Sequence, residues 1–314
     1  MIPTLQDFKA AHERIKPYIH NTPVLSSQQL NTLTGCEVYF KCENLQKVGA
    51  FKARGGFNAL LSLSEDERKK GVTAHSSGNH AQAVALAAKT LGVKAYIVMP
   101  STAPKVKKDA VIGYGAEVIE CEPTLEARES TVDQIINEKG AVLIHPFNDY
   151  NIIAGQGTAA IELLESQPDL DYIFTPIGGG GLVSGSALVA KYLSPNTKVI
   201  GAEPEEADDA FRSFKAGKIL PHETPPKTIA DGLLTTLSDK TFEIIMQEVE
   251  DVLVVNEEEI VAAMQLMWER MKIVTEPSGA VPFASLIRNK ERFQGKRIGI
   301  IISGGNVDLG KLPF

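Results

Sequence analysis

The organisation of this chain follows from one segment, Val48-Gly49-Ala50-Phe51-Lys52-Ala53-Arg54-Gly55-Gly56-Phe57-Asn58. Lys52 stands there between a Gly-Ala-Phe approach and an Arg-Gly-Gly exit, at the start of a helix predicted over residues 52–61. A lysine at such a position is usually solvated, but further motifs along the chain indicate a functional role for this one. Three polar or glycine-rich turns follow predicted strands: Ser76-Ser77-Gly78-Asn79-His80, Gly178-Gly179-Gly180-Gly181 and Ser303-Gly304-Gly305-Asn306.

A strand–helix alternation runs through most of the chain and indicates parallel βαβ units, hence an α/β fold. The predicted strands are 37–42, 72–75, 95–99, 117–121, 142–145, 172–176, 198–203 and 297–303. The predicted helices are 4–15, 52–61, 79–91, 105–112, 125–139, 158–166, 182–192 and 257–271. The alternation breaks near residues 146–151. We therefore predict a small α/β domain at 70–148, inserted into a large domain of residues 1–69 plus 149–314, with a ligand in the cleft between them.

Composition and charge exclude several classes of protein. The chain has 314 residues, 43% hydrophobic and 23% charged, which suffices for a packed core. Its formal net charge is −7 and its basic residues are dispersed, which argues against a nucleic-acid binder. No apolar run approaches the ~20 residues that cross a bilayer, so no membrane partner is expected. The N-terminus lacks a signal-peptide pattern, and three scattered cysteines (Cys36, Cys42 and Cys121) are typical of free thiols. We expect a cytoplasmic protein.

An amine nucleophile combined with glycine-rich turns is the equipment for holding a phosphorylated aldehyde, and pyridoxal phosphate (PLP) is the obvious candidate. Gly178 to Gly181 follow a predicted strand and precede a helix, so their bare N–H groups and the helix terminus suit a phosphate. The alternative is a merely flexible turn. The segment is neither a P-loop, because no Gly-Lys-Ser/Thr follows, nor a dinucleotide fingerprint, because the glycine spacing differs.

The Ser76–His80 turn also joins a strand to a helix. Its amides and hydroxyls can clamp a carboxylate, and Asn79 can reach a phenolic oxygen. An ordinary helix N-cap is the alternative interpretation. No other His or Cys lies at metal-site spacing from His75 and His80, so we expect these two rings to fix the loop.

The motifs together resemble a known family. Phe51-Lys52-Ala53-Arg54-Gly55, Ser76-Ser77-Gly78-Asn79-His80, Ala154-Gly155-Gln156-Gly157-Thr158, the tetraglycine, Ala230-Asp231-Gly232 and Ser303-Gly304-Gly305-Asn306 occur in this order. Over essentially its whole length the chain resembles the fold type II PLP enzymes of the serine racemase and serine/threonine dehydratase (ammonia-lyase) group. The segments 203–209 and 268–272 are most similar to serine racemases. The resemblance implies a tryptophan synthase β-like architecture of two α/β domains with parallel-rich sheets.

The resemblance also implies an activity. Lys52 would bind the cofactor aldehyde and then act as the base on one face of the substrate Cα. Ser77 would be the second acid/base on the opposite face, since racemisation removes a proton from one side and returns it on the other. Loss of the β-hydroxyl of serine or threonine would give pyruvate or 2-oxobutyrate plus ammonia.

Other roles are implied only by the resemblance. Cofactor-binding residues would be Phe51, Lys52, Asn79, Gly178, Gly179, Gly180, Gly181, Gly232, Glu276 and Ser303, the last at the pyridine nitrogen. Substrate-binding residues would be Ser76, Ser77, Gly78, Asn79, His80 and Arg128, the last able to meet a second carboxylate. The cation ligands would be Glu203, the Ala207 carbonyl and Asp209, for Mg²⁺, Ca²⁺ or Mn²⁺, where a solvated acidic loop is the alternative. A homodimer is expected from the family.

Two departures from animal serine racemases narrow these expectations. Phe147 stands where those enzymes carry Asn, and the Pro-Phe-Asn-Asp phrase is more similar to dehydratases. Val48 replaces a Thr near their nucleotide effector, which argues against regulation by ATP. The alternatives are a dedicated L-threonine ammonia-lyase, a 3-hydroxyaspartate ammonia-lyase in which Arg128 binds the distal carboxylate, and a non-enzymatic phosphate-binding module without a role for Lys52.

Overall fold

The structure is a computed structural model that describes residues 1–222 and 224–314. The strands are β1 (Val24–Leu25), β2 (Glu37–Cys42), β3 (Val72–His75), β4 (Ala95–Pro100), β5 (Glu117–Cys121), β6 (Val142–Leu143), β7 (Tyr172–Pro176), β8 (Lys198–Pro204), β9 (Asp251–Val255) and β10 (Arg297–Ile302). The helices are α1 (Leu5–Ile15), α2 (Gln28–Thr34), α3 (Lys52–Ser62), α4 (Glu65–Lys70), α5 (Asn79–Leu91), α6 (Lys105–Gly113), α7 (Leu125–Lys139), α8 (Tyr150–Ser166), α9 (Gly181–Leu193), α10 (Asp209–Ala216), α11 (Asp239–Glu248), α12 (Glu257–Met271) and α13 (Pro277–Arg288).

These strands form two sheets. The large sheet has the order β1-β2-β10-β7-β8-β9 and the small sheet the order β5-β4-β3-β6. Every pairing is parallel except that of β1 with β2. The α/β class with parallel-rich sheets is therefore confirmed. Since the carboxyl ends of parallel strands lie at one edge of a sheet, the turns after β2, β7, β8 and β10 share an edge of the large sheet.

The helix that begins at Lys52 packs between elements of both sheets. On one face α3 contacts α8 so closely that a side chain added at Gly155 would lie 2.7 Å from the Arg54 carbonyl. On another face Gly56 lies against Ala83 of α5, where an added Cβ would be 3.3 Å from that residue. Ala53, Phe57 and Leu60 accordingly belong to the buried apolar cluster of the small sheet. This position puts the Lys52 turn where the two sheets meet.

Most predicted elements agree with the structure, and the differences have local causes. The predicted strand 142–145 is too long, because pairing with β3 stops at Leu143. The predicted helix 158–166 is too short: α8 begins at Tyr150, after the Asp149 carboxylate accepts hydrogen bonds from the N–H groups of Asn151 and Ile152. The predicted Thr4–Asp7 cap of α1 is present. The domain limits at 69/70 and 148/149 stay a prediction.

Several elements were absent from the sequence analysis. They are α2, α4, α10, α11, α13, β1 and β9. Pro277 and Pro282 hide the helical character of α13, although Pro277 occupies the first turn, where a missing N–H costs nothing. Within the described residues, no helix combines the length and apolar character needed to cross a membrane.

Candidate active site

The turn that carries Lys52 is held by the loop after β10. Ala50 forms an isolated antiparallel bridge with Gly304, and the Phe51 N–H donates to the Ser303 carbonyl at 3.0 Å. The Lys52 ammonium reaches the other way and donates to the Pro146 carbonyl at 2.8 Å. The Phe51 ring centroid lies 5.1 Å from the same nitrogen. Two of the four predicted motifs are therefore in direct contact, and the lysine amine has a defined partner.

Burial changes the chemistry of this amine. Loss of hydration lowers the pKa of Lys52 to about 8 from its usual 10.5. At pH 7 about a tenth of the Lys52 side chains therefore carry the neutral, nucleophilic amine, far more than for a lysine with the usual pKa. A solvated helix lysine, which is the ordinary interpretation, would show no such shift.

The tetraglycine turn is closely packed. A side chain at Gly179 would have its Cβ 2.2 Å from the Phe147 ring, and one at Gly180 would lie 2.9 Å from Leu237. Gly180 also has a φ of +88°, in the region that side chains rarely adopt, and Gly181 begins α9. These contacts explain the run of glycines, and the α9 terminus offers free N–H groups to an anion.

The Ser303 hydroxyl provides a test of whether the site fits PLP. Ser303 is only 3% exposed, and its Oγ is buried without a hydrogen-bond partner. An orphaned buried hydroxyl is unusual and calls for a partner from outside the chain. A pyridine nitrogen is such a partner, and the nearby Lys52 amine and tetraglycine supply the other two functions that this cofactor needs.

Glu276 lies next to the loop that follows β10. Its carboxylate links that loop to Asn79, in the loop that follows β3. The Asn79 amide donates to both Glu276 carboxylate oxygens at 3.1 and 3.2 Å, and the Asn306 N–H donates to Oε2 at 3.1 Å. The Asn306 side chain also donates to Asn79 Oδ1 at 2.8 Å. Burial raises the pKa of Glu276 to about 7, although the Asn79 hydrogen bond opposes the shift. Sequence reasoning missed the role of Asn306, although it stands in the Ser303 motif.

The Ser76–His80 loop, which follows β3, is open in comparison. Ser76, Ser77, Gly78 and Asn79 are all half-buried, and a Cβ at Gly78 would have no neighbour within 4 Å. The Gly78 N–H donates to Ser76 Oγ at 3.2 Å. His80 is buried, its Nε2 lies 2.8 Å from the Ile144 carbonyl, and burial lowers its pKa to about 3. The neutral ring is thus placed to fix the loop.

Three further basic side chains, Arg128, His75 and His145, lie near this loop. Arg128 of α7 is half-buried, and its Nε has no hydrogen-bond partner. The His75 ring lies perpendicular to the His145 ring, with centroids 6.2 Å apart. The N–H groups of Phe147 and Asn148 point at His145 Nδ1 at 3.3 and 2.9 Å, so that nitrogen is the acceptor and Nε2 carries the proton. No sequence pattern pointed to His145.

The Gly232 loop lies beside the tetraglycine turn. Its N–H donates to the Ser278 hydroxyl at 3.0 Å, and its carbonyl is 3.1 Å from the position of a Cβ at Gly178. The loop therefore borders the tetraglycine, but this amide already has a partner.

The predicted cation ligands lie at the end of β8. Glu203 accepts from the N–H groups of Ala210 and Phe211, and Asp209 accepts from the Leu237 N–H at 3.0 Å. Burial raises the pKa of Asp209 to about 7, and that of Glu203 well above its usual value. His222 Nε2 lies 3.2 Å from Asp209 Oδ1.

Within the described part of the chain, no three His, Cys, Asp or Glu side chains converge into a metal site. The predicted ligand set has only two carboxylates, with the carbonyl of the buried Ala207 as its third member. Buried oxygens of this kind fit a hard cation.

Comparison with known proteins shows what the chain as a whole is similar to. The family described as pyridoxal-phosphate dependent enzyme matches residues 15–304. The chain belongs to this family. It is 54% identical to serine racemase of Dictyostelium discoideum over 98% of this chain and 96% of that protein. It is 51% identical to β-hydroxyaspartate dehydratase of Paracoccus denitrificans over 100% of this chain and 99% of that protein.

A solved structure agrees with these matches. The crystal structure of the Dictyostelium discoideum serine racemase superposes with a TM-score of 0.93, covering 98% of this chain and 99% of that one. This chain is therefore a fold type II PLP-dependent enzyme, as the motifs predicted, and a non-enzymatic phosphate-binding module is excluded. Which residue takes which role stays a prediction.

Proposed function

We propose that this PLP enzyme racemises serine and, at the same site, eliminates water from serine and threonine to give pyruvate or 2-oxobutyrate plus ammonia. The observation that carries the proposal is the amine of Lys52, held at the Pro146 carbonyl with a lowered pKa, in a turn whose backbone is hydrogen-bonded to Ser303, the residue with the orphaned hydroxyl. The names of the relatives, serine racemase and β-hydroxyaspartate dehydratase, support both reaction types.

PLP, when bound, supplies an electron-withdrawing ring that stabilises negative charge at the substrate Cα. Ser303 Oγ would donate a hydrogen bond to the pyridine nitrogen. A neutral hydroxyl does not hold a proton there as an aspartate would, so the negative charge at Cα is short-lived. Rapid departure of the β-hydroxyl or rapid return of the proton would therefore be favoured over transamination.

Lys52 and Ser77 would share the proton transfers. The half-buried Lys52 amine, with its pKa near 8, is neutral often enough to remove the Cα proton of L-serine. Ser77 stands in the open loop after β3 and would serve the opposite face. Phe51 would pack on the ring, and Asn79 would hold the ring hydroxyl after exchanging its present partners, Glu276 and Asn306. Gly178 to Gly181 would bind the phosphate.

A second candidate is a 3-hydroxyaspartate ammonia-lyase. Arg128 favours it, because its Nε is buried without a partner and a guanidinium pairs well with a carboxylate. The name of the Paracoccus relative points the same way. Initial rates on L-serine, L-threonine and 3-hydroxyaspartate decide between the two. A kcat/KM for 3-hydroxyaspartate at least ~100-fold above serine, lost in Arg128→Leu, would make the lyase the principal function.

The cation is a further part of the proposal. Glu203, the Ala207 carbonyl and Asp209 would bind Mg²⁺, Ca²⁺ or Mn²⁺, and their buried oxygens support this. A chelator is expected to lower the melting temperature and the activity, since the ion binds only the folded chain. The double variant Glu203→Gln/Asp209→Asn should lose that response. If the double variant responds to the chelator as the parent does, the ion binds at another site.

We also propose a homodimer in a reducing compartment such as the cytoplasm. The three free cysteines support the compartment: Cys36 and Cys42 are buried, and Cys121 is partly exposed. The dimer is expected from the family, and sedimentation velocity tests it.

The decisive experiment combines colour and chirality. Purified protein incubated with PLP should absorb in the visible, and chiral analysis after incubation with L-serine should show D-serine, with pyruvate beside it. A yellow protein that forms pyruvate but no D-serine would reduce the function to that of a lyase.

A further inference from the structure

A cluster of four buried charges lies on the side of α3 away from the site. Lys41, Glu43, Arg54 and Glu162 are each at most 5% exposed. Arg54 makes five hydrogen bonds of 2.7–3.1 Å: two to Glu43, two to Glu162 and one to the Thr158 hydroxyl. This uses the full donor capacity of a guanidinium. The two carboxylates and two cations balance, so the cluster is electrically neutral as it stands.

Arg54 thereby connects three separate pieces of chain. Glu43 lies in the turn after β2, Thr158 and Glu162 lie on α8, and Arg54 itself lies in the first turn of α3. The α3–α8 contact is already as close as backbones allow, because an added Cβ at Gly155 would be 2.7 Å from Gly55 Cα. A planar, bidentate guanidinium fixes angle as well as distance. The register of α3 on α8 is therefore set at Arg54.

Lys52 depends on the same two helices. It stands two residues before Arg54, which is about 200° around the helix, so the two side chains leave α3 on opposite faces. Its amine donates to the Pro146 carbonyl, four residues before α8 begins at Tyr150. Arg54, on one face of the first turn of α3, thus contacts the body of α8. Lys52, on the opposite face, contacts the loop that leads into α8.

We propose that Arg54 is a positioning residue for Lys52: it holds α3 on α8 so that the lysine amine stays buried at the Pro146 carbonyl. The inference rests on the proposed role of Lys52 as cofactor-binding residue and base. Loosening α3 admits water to the amine, and the pKa of Lys52 then rises toward that of an ordinary lysine. It also shifts the base relative to the substrate Cα, where a displacement of about 1 Å can cost ~100-fold in rate.

The test compares Arg54→Lys with Lys41→Met in the PLP-loaded enzyme. Arg54→Lys keeps the charge but loses the fork. Lys41 belongs to the same cluster, donating to Glu162 and to the Thr22 carbonyl, both at 2.6 Å, but lies on β2. We expect both variants to lower the melting temperature. Only Arg54→Lys should lower kcat by about 10- to 100-fold, with KM changed less than about threefold. It should also move the acid limb of the kcat–pH profile to higher pH.

Two outcomes would overturn the proposal. One is an Arg54→Lys enzyme that is destabilised but has the parent kcat and pH profile. The other is an equal fall in kcat for Lys41→Met, which would mean that the cluster acts only through stability. If Arg54→Lys does not fold, Glu43→Gln takes its place, because it weakens the Arg54 fork with a nearly isosteric side chain. The same comparison with parent behaviour then decides.

A substrate-free measurement separates this proposal from the proposed function. The rate at which the cofactor-free chain captures PLP, followed by its visible band over a range of pH, reports the neutral fraction of Lys52. A parent chain that captures PLP but turns over none of the candidate substrates would contradict the proposed function alone. A pH profile of capture unchanged in Arg54→Lys would contradict the positioning role alone.

Discussion

A side chain added at Gly179 would meet the Phe147 ring at 2.2 Å, whereas one added at Gly78 would meet nothing within 4 Å. The first residue belongs to the turn after β7, the second to the turn after β3. Gly179 to Gly181 after β7 and Ser303-Gly304 after β10 are buried and closely packed, whereas Ser76 to Asn79 are half-buried with open space at Gly78. The proposed cofactor-binding turns of the large sheet are thus preformed, as suits a constant group. The proposed substrate-binding loop of the small sheet has room for a group that changes.

The largest expected effect is on the rigid side. Lys52→Ala should abolish turnover of both serine enantiomers and remove the visible absorbance of the lysine-bound cofactor, because no other amine takes the place of this one. Absorbance spectra and pyruvate assays measure both. Lys240→Ala is the matched control, since Lys240 donates to the nearby Asn148 carbonyl at 3.2 Å and has no assigned role. A lysine-bound cofactor band that persists in Lys52→Ala would contradict the assignment.

The next effect belongs to the open side and should be selective. Ser77→Ala is expected to slow L-to-D conversion of serine by ~10²–10⁴-fold, the usual contribution of a general acid–base group. Elimination from L-serine, where Lys52 removes the proton, should change much less, and elimination from D-serine should fall with racemisation. Chiral chromatography beside a pyruvate assay measures the contrast. Racemisation at the parent rate would leave Ser77 as a loop residue without a catalytic role.

The glycines themselves give a smaller, matched pair. Gly179→Ala should cost about 1–3 kcal/mol of stability, as overpacking does, and weaken PLP binding about tenfold, because the Phe147 ring must move. Gly78→Ala should cost clearly less, because its Cβ enters open space. Thermal unfolding and PLP titration of the two variants test the order. Equal losses would show that the two sides of the site do not differ in rigidity.

A pH-dependent effect on stability is expected where the two sides join, at Glu276. Its pKa is raised from 4.5 to about 7 in the folded chain without cofactor. Between these values the unfolded chain has lost the proton and the folded chain still holds it, so stability should fall as pH rises from 4.5 to 7, by at most about 3 kcal/mol. Urea unfolding of the cofactor-free chain should show a shallower slope in Glu276→Gln, while the raised pKa values of Asp209 and Glu203 maintain the remainder. A slope unchanged in that variant would assign it to other groups.

Two buried acidic sites show why sequence reasoning went further in some places than in others. Glu203 and Asp209 were predicted as cation ligands through the family resemblance of the segment 203–209. Glu43 and Glu162 were not, although hydrogen bonds from His12 and Arg54 and the charges of Arg54 and Lys41 outweigh burial and hold the pKa of Glu162 below its usual range. Their partners are 11 to 150 positions away in the chain, so no local pattern marks them. Charged residues that pair over long distances in the sequence have no characteristic spacing that sequence reasoning could detect.

The sequence by itself determined the local structure and the identity of the chemistry. Strand β7 and helices α5, α7 and α12 have the predicted bounds, because periodicity and terminal residues such as Gly92 act over a few positions. The Lys52, tetraglycine and Ser303 motifs sufficed to identify a PLP enzyme. Only the tertiary structure decided that β10 pairs with β2, some 260 residues away, and so brings Ser303 to the Lys52 turn. It alone brought Pro146 to the lysine amine and Arg54 to Glu162, since such contacts depend on how whole helices pack.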